Sequence, residues 1–196
     1  MNKDGAMGDT GNVQDRTRLM QIILKQSFKL GDFTLSSGRK SEYYVDCRTT
    51  TLHPEGAYLV GKLIFPWVKE AGADAVGGLT LGADPMAAAV IIESFRQGAP
   101  VRGFIVRKEQ KEHGRGRRIE GNLEKGDRVI ILEDVVTTGE SALKAVAAVK
   151  DAGATVISVV TIVDREEGGR EAIEKEGLKV RALFTAGELK EAARRK

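Results

Sequence analysis

Apolar positions along this chain recur at two spacings, and the spacing changes near residue 75. Before it, Leu19, Ile22 and Ile23 recur at helical intervals, and Asp15 stands where an N-cap belongs. The pattern predicts a helix over 16–28, closed by Gly31. Residues 33–46 alternate around Ser36, Ser37 and Gly38, which predicts two short strands and a turn. Pro54 opens a second helix that carries Leu63 and Val68. After residue 75, short apolar runs at 75–79, 101–106, 129–132, 156–163 and 180–184 read as strands. Helices are predicted between them at 86–96, 140–151 and 170–176. Residues 1–14 are polar and aperiodic and are expected to form a flexible tail.

Strands that alternate with helices, and are apolar on both faces, predict an α/β fold: a central, mostly parallel sheet flanked by helices. Such folds bind ligands beyond the carboxyl ends of their strands. The residues with the most chemistry fall at those ends: 82–84, 107–113, 133–141 and 164–165.

The segment at 129–141 is the most informative. A buried run ends in Glu133 and Asp134, and Val136, Thr137, Thr138, Gly139, Glu140 and Ser141 lead into a helix. Adjacent strand residues point to opposite sides, so one carboxylate is expected to face a ligand while the other braces the site. A vicinal diol offers two donors to carboxylate oxygens, and amides at a helix N-terminus point at a phosphate. No lysine follows the glycine as in a nucleoside-triphosphate loop, and the dinucleotide glycine spacing is absent. A sugar phosphate fits this pattern.

Charge adds a second feature. The net charge of +3 is small, but residues 101–121 hold seven basic side chains against three acidic ones, a local excess suited to a polyanion. The 196 residues suffice for one domain with a real core. No apolar run approaches the roughly 20 residues of a membrane span, and the polar start lacks a secretory core. Cys47 has no partner for an internal disulfide, which fits a reducing cytoplasm, and it is expected to be buried filler. His53 at a helix start and Trp67 inside a helix are expected to cap and to pack.

The segment at 129–141 resembles the phosphoribosyl pyrophosphate signature of the type I phosphoribosyltransferases. Within that family, the chain resembles the orotate phosphoribosyltransferases at three further places. These are 33–44 with Ser37, Gly38 and Arg39; 107–114, similar to a mobile catalytic loop; and Asp164, Arg165 and Glu166. The resemblance spans about 16–190. It implies the type I phosphoribosyltransferase fold with a small hood subdomain. The expected division is 1–14 tail, 15–60 N-terminal helix and hood, and 61–196 phosphoribosyltransferase core.

The resemblance also implies transfer of a phosphoribosyl group from phosphoribosyl pyrophosphate to N1 of orotate, giving orotidine 5′-monophosphate and pyrophosphate. By the same resemblance, Arg107, Lys108, Lys111 and His113 approach the pyrophosphate, Arg107 from across a homodimer interface with shared active sites. Glu133 and Asp134 hold the ribose hydroxyls, with Asp134 counted as catalytic. The residues Val136, Thr137, Thr138, Gly139, Glu140 and Ser141 cradle the 5′-phosphate. Arg165 pairs with the orotate carboxylate, and Tyr43 and Tyr44 lie near the base. Magnesium is expected mainly through substrate and water, without a dedicated set of protein ligands. No nucleic acid or membrane partner is expected. Two departures stand out: many family members carry a lysine where this chain has Ser36, and another at about Gly82. The competing readings are a purine or uracil phosphoribosyltransferase, a non-catalytic regulator that binds nucleic acid, and a structural partner of the next enzyme in pyrimidine synthesis.

Overall fold

The structure is a computed structural model that describes residues 7–34, 38, 40–109 and 118–195, with side chains from residue 12 onward. Helix α1 spans Met7–Gln26, and strands β1 (Phe28–Thr34) and β2 (Lys40–Val45) form an antiparallel hairpin. A short helix α2 (Arg48–Thr51) leads into α3 (Pro54–Ala71). Then come β3 (Ala75–Leu79), α4 (Ala83–Arg96), β4 (Arg102–Val106), β5 (Ile119–Gly121), β6 (Arg128–Val136) and α5 (Glu140–Asp151). The chain continues through β7 (Thr155–Asp164), α6 (Gly169–Lys175), β8 (Lys179–Thr185) and α7 (Ala186–Arg194).

The main sheet has the order β5-β4-β3-β6-β7-β8. Only the β4–β5 edge pair is antiparallel. One face packs α3 and α4 through Phe65, Met86 and Leu132, and the other packs α5 through Val146, Val149 and Val159. Both faces are covered, as the apolar runs predict. From β3 the chain winds outward through β4. From β6 it winds the opposite way through β7 and β8. The crevice between β3 and β6 is therefore the switch point, where a ligand site is expected.

Several expectations need correction. The first helix begins at Met7 rather than residue 16, so part of the expected tail is helical. Asp15 lies inside that helix and pairs with Lys62 of α3 at 2.6 Å rather than capping it. The helix stops before Phe28, which enters β1 and stacks on Tyr43 with ring centroids 5.3 Å apart. Gly31 sits inside β1, where the hairpin register shifts between Leu30 and Phe33. Strand β6 continues to Val136 rather than ending at Leu132, because β7 stays paired with it through Val136↔Asp164 after β3 has ended. Helix α4 starts at Ala83, earlier than residue 86.

The sequence pattern predicts none of α2, β5 and α7. Each is short or polar. Helix α7 starts with a capping box between Thr185 and Glu188 and seats Ala186 and Leu189 in the core. His53 does cap α3, its Nδ1 accepting from the Gly56 amide at 3.4 Å. Trp67 packs on the core and Cys47 is fully buried. The hairpin and α1 share one apolar cluster with the sheet, through Leu19, Phe28, Phe65 and Phe184. The expected 60/61 boundary falls inside α3.

Candidate active site

A cleft of about 300 Å³ opens at the switch point. Its walls come from the end of β2 (Tyr44, Val45), α2 (Arg48), the β3–α4 turn (80–82), the end of β4 (Lys108), β6 (Glu133, Asp134) and Arg165 after β7. A smaller recess of about 80 Å³ adjoins it, lined by residues 135–142 and Glu133. Glu133 lines both, so the acidic pair joins the two spaces.

Both carboxylates of the pair line the cleft. Glu133 is buried and Asp134 half-buried. Asp134 Oδ1 curls back to accept from the Val135 amide at 3.0 Å. Glu133 Oε2 is buried with no hydrogen-bond partner among the described residues. Burial pushes the Glu133 carboxyl well above the usual carboxylate range. The Asp134 charge and a hydrogen bond between the two groups push the same way, and the Lys108 ammonium pulls against them. Asp134 is also raised by burial, but its bond to Glu133, the Val135 amide and the Arg48 charge oppose the rise. The two carboxyls share one cleft, and burial together with the Asp134 charge opposes a second negative charge on Glu133.

Gly82 explains how the pair is packed. Its backbone is ordinary right-handed helix (φ −63°), so no conformational need selects glycine there. A Cβ at this position would lie 2.4 Å from Asp134 Oδ1. The space above residue 82 belongs to that carboxylate, and any side chain there displaces it.

The hydroxyl loop forms as expected. Gly139 takes φ +81° just before α5, and its missing Cβ would meet the Gly169 carbonyl at 2.8 Å. Around the recess lie Val136, Thr137, Thr138, Glu140 and Ser141. Val136 is buried and contributes backbone: its carbonyl accepts from the Arg165 amide at 2.9 Å. Glu140 is exposed and pairs with Lys144 at 2.6 Å, one turn along α5.

Arg165 is buried, with 5% of its side chain exposed, yet it lines the cleft. Its Nε donates to Glu167 Oε1 at 2.8 Å and its Nη2 to Ser41 Oγ at 3.4 Å. The guanidinium sits 4.5 Å over the Tyr43 ring. Tyr43 itself does not line the cleft. It is buried, its hydroxyl reaches Glu167 at 3.4 Å, and burial pushes its pKa up to about 12. Tyr44 and Val45 take the expected place of the aromatic pair on the cleft wall. Alternation within β2 separates the two tyrosines, Tyr43 buried and Tyr44 exposed, and Val45 borders the cleft at the strand's end.

Lys108 lines the cleft. Arg107 does not; its Nη1 lies 3.6 Å from Glu120, and its Nε is buried without a hydrogen-bond partner among the described residues. Lys111, His113, Ser36, Ser37 and Arg39 lie outside the described residues. The sequence reading missed Asp46 and Arg48, joined by a two-pronged ion pair at the cleft wall. An acid and an arginine two residues apart after an alternating strand would have been the signal. Asp84, expected on the rim, turns away and accepts from Thr80 Oγ1 at 2.6 Å.

Comparison with known proteins accords with this geometry. The phosphoribosyl transferase domain family matches residues 53–187. The orotate phosphoribosyltransferase of Aquifex aeolicus is 54% identical over 178 residues, covering 89% of this chain and 97% of that protein. That of Corynebacterium glutamicum is 45% identical, covering 91% and 95%. The crystal structure of Mycobacterium tuberculosis orotate phosphoribosyltransferase superposes with a TM-score of 0.80 at 46% identity, covering 89% of this chain and 98% of that one. The same enzyme in complex with 5-phospho-alpha-D-ribosyl 1-diphosphate gives 0.74 at 39% identity, covering 90% and 92%. With its switch-point cleft, acidic pair and hydroxyl loop, the chain belongs to the phosphoribosyl transferase family, in the branch formed by the orotate phosphoribosyltransferases.

Proposed function

We propose that the cleft binds phosphoribosyl pyrophosphate and orotate and joins orotate N1 to the ribose, releasing pyrophosphate. The observation that carries this reading is the buried Arg165 guanidinium at one wall of a cleft whose floor is the acidic pair. A planar guanidinium matches the orotate carboxylate, which purines and uracil lack. Glu167 and the Tyr43 ring fix its plane before the base arrives.

The chemistry asks for charge handling. As the bond to pyrophosphate stretches, C1 of ribose gains positive character and the departing group gains negative charge. Asp134 and Glu133 accept from the ribose hydroxyls and hold the ring beneath the base. The loop at 136–141 directs amides and hydroxyls at the 5′-phosphate. Lys108 meets the leaving pyrophosphate, and Lys111 and His113 are assigned the same task, His113 also delivering a proton. Each preorganised donor that acts mainly in the transition state is worth roughly 3–4 kcal/mol.

Magnesium fits the donor set. Glu133 Oε2 is a buried oxygen with no partner, and no cluster of three or more metal-ligating side chains occurs among the described residues. Glu133 and Asp134 would help hold an ion carried in by the diphosphate and water. When bound, it supplies charge neutralisation on the pyrophosphate.

A homodimer with shared sites completes the reading. It is supported by the exposed Ile92 and Phe95 on α4, which are 61% and 77% accessible in the single chain, and by Leu81 at 64% on the adjoining cleft turn. Arg107 reaching the partner's site belongs to the same proposal. A cytoplasmic location accords with the lone buried Cys47, and no helix among the described residues is long and apolar enough to cross a membrane.

The deciding experiment follows orotate absorbance after addition of phosphoribosyl pyrophosphate and magnesium. Consumption of orotate, lost in Asp134→Asn, supports the proposal. Consumption of adenine, guanine or uracil in preference to orotate overturns it.

A further inference from the structure

Arg48 opens α2 directly after β2, and its guanidinium lines the cleft with Lys108, Asp134 and the turn at 80–82. Asp46 grips it in a fork: Nε donates to Oδ1 and Nη2 to Oδ2, both at 2.8 Å, and the Arg48 amide donates to Oδ1 at 3.1 Å. This leaves the Nη1 edge of the fork without a hydrogen-bond partner among the described residues. Half of the side chain is exposed, so the pair contributes little to stability. Its effect is directional, because a fork locked by a carboxylate has few ways to turn.

The charge bears on the site as well. Arg48 favours the ionised form of Asp134, as Lys108 does for Glu133. The described side chains that line the cleft are evenly matched, with Arg48, Lys108 and Arg165 against Asp46, Glu133 and Asp134. A polyphosphate entering it finds no surplus of positive charge. Arg165 is already bonded to Glu167, and the 5′-phosphate recess does not include Arg48. The anion left for Arg48 is the diphosphate.

We infer that Arg48 is a binding residue for the diphosphate of phosphoribosyl pyrophosphate, and that Asp46 is the positioning residue that aims it. The inference rests on the cleft being the phosphoribosyl pyrophosphate site. Arg48 and Lys108 would then take the diphosphate between them, over the acidic pair that holds the ribose.

The test titrates inorganic pyrophosphate and ribose 5-phosphate separately, with magnesium, into wild type, Arg48→Gln, Arg48→Lys and Asp46→Asn. Steady-state constants for both substrates are measured alongside. Arg48→Gln is expected to weaken pyrophosphate and raise KM for phosphoribosyl pyrophosphate by at least about tenfold, the loss of one charged hydrogen bond. Ribose 5-phosphate affinity and KM for orotate stay within about twofold, since neither group meets Arg48 in this assignment. Arg48→Lys recovers part of the loss because it keeps the charge but not the fork. Asp46→Asn raises the same KM with kcat changed less, because the aim is lost but the cation remains.

Pyrophosphate affinity unchanged in Arg48→Gln overturns the assignment. So does an equal loss for ribose 5-phosphate, which would mark a structural role. If Arg48→Gln does not fold, unchanged pyrophosphate affinity in both Arg48→Lys and Asp46→Asn overturns it. Wild type that binds neither phosphoribosyl pyrophosphate nor pyrophosphate overturns the reading of the cleft itself, whereas pyrophosphate binding indifferent to residue 48 overturns this inference alone.

Discussion

Gly82→Ala adds one methyl group and tests the whole arrangement of the acidic pair. The backbone at 82 suits any L-residue, so the substitution costs nothing in conformation. The new Cβ lies 2.4 Å from Asp134 Oδ1 and 2.8 Å from its carboxyl carbon. Ordinary contact begins near 3.4 Å, so the carboxylate must retreat by about 1 Å. The retreat breaks its 3.0 Å bond from the Val135 amide, a hydrogen bond to a charged group worth about 1.5–3 kcal/mol. A short side chain yields more readily than backbone, so the fold should hold, with a melting temperature about 3–12 °C below wild type. The function should suffer: calorimetric affinity for phosphoribosyl pyrophosphate is expected to fall about tenfold to a hundredfold. Asp134→Asn and the double variant complete a cycle. Because both changes act through one carboxylate, their costs must be strongly non-additive. Wild-type affinity in Gly82→Ala, or full additivity in the cycle, would refute the claim that residue 82 is glycine for the sake of Asp134.

Arg165→Ala is expected to lower kcat/KM for orotate by at least about a hundredfold, from two charged hydrogen bonds. Phosphoribosyl pyrophosphate affinity should stay within about twofold, and equal loss of both would mark Arg165 as a purely structural residue. Burial raises the Glu133 pKa, so the stability its protonated form contributes is complete below the unfolded value and disappears as pH rises through the folded one. Glu133→Gln should therefore melt higher than wild type at alkaline pH and gain least in acid. Phosphoribosyl pyrophosphate, whose diol donates to the ionised form, should release a proton on binding, which calorimetry in buffers of different ionisation heat would register. Zero release would contradict the upward shift at Glu133. Gly139→Ala, at φ +81° and with a Cβ 2.8 Å from the Gly169 carbonyl, should lose about 2 kcal/mol in urea unfolding, and a loss under about 0.5 kcal/mol would show that the loop accommodates a side chain.

The sheet was legible because its strands are buried on both faces, and a continuous apolar run needs no tertiary context to be recognised. The 75–79 run, for example, is buried at every position of β3. Strand ends were harder to place. The 129–132 run stops being apolar at Glu133, but the strand stops only when β7 does, and pairing length belongs to the neighbour. Helix α7 was hard to see because its core-facing stripe is narrow, Ala186, Leu189 and Ala193 set among charged residues. The acidic pair, the hydroxyl loop and Arg165 could be placed from sequence, since each sits where a strand gives way to a turn. Tyr43 and Tyr44 could not be told apart without the hairpin register, which buries Tyr43 beneath Arg165 and leaves Tyr44 at the cleft. Arg48 lies in a four-residue helix with no periodic signal, and only the fold brings it beside Asp134.

The charges of the cleft differ in how they are held, and the difference bears on the order of events. Arg165 is fixed by Glu167 and the Tyr43 ring, and Arg48 by Asp46. Each of these cations is oriented before a ligand arrives, so meeting an anion requires little reorganisation. Glu133 is the opposite case. Burial and the Asp134 charge both push its carboxyl well above the usual carboxylate range, against a second negative charge in the open cleft. A base carboxylate entering first would meet a finished Arg165 but would do nothing to ionise Glu133. The sugar diphosphate brings the diol that rewards the ionised form, so its arrival completes the pair. On this argument, orotate alone leaves that upward shift in place, and phosphoribosyl pyrophosphate must be present before the diol can favour the ionised pair. Affinity for orotate alone should therefore be insensitive to Glu133→Gln, while affinity for phosphoribosyl pyrophosphate should not be.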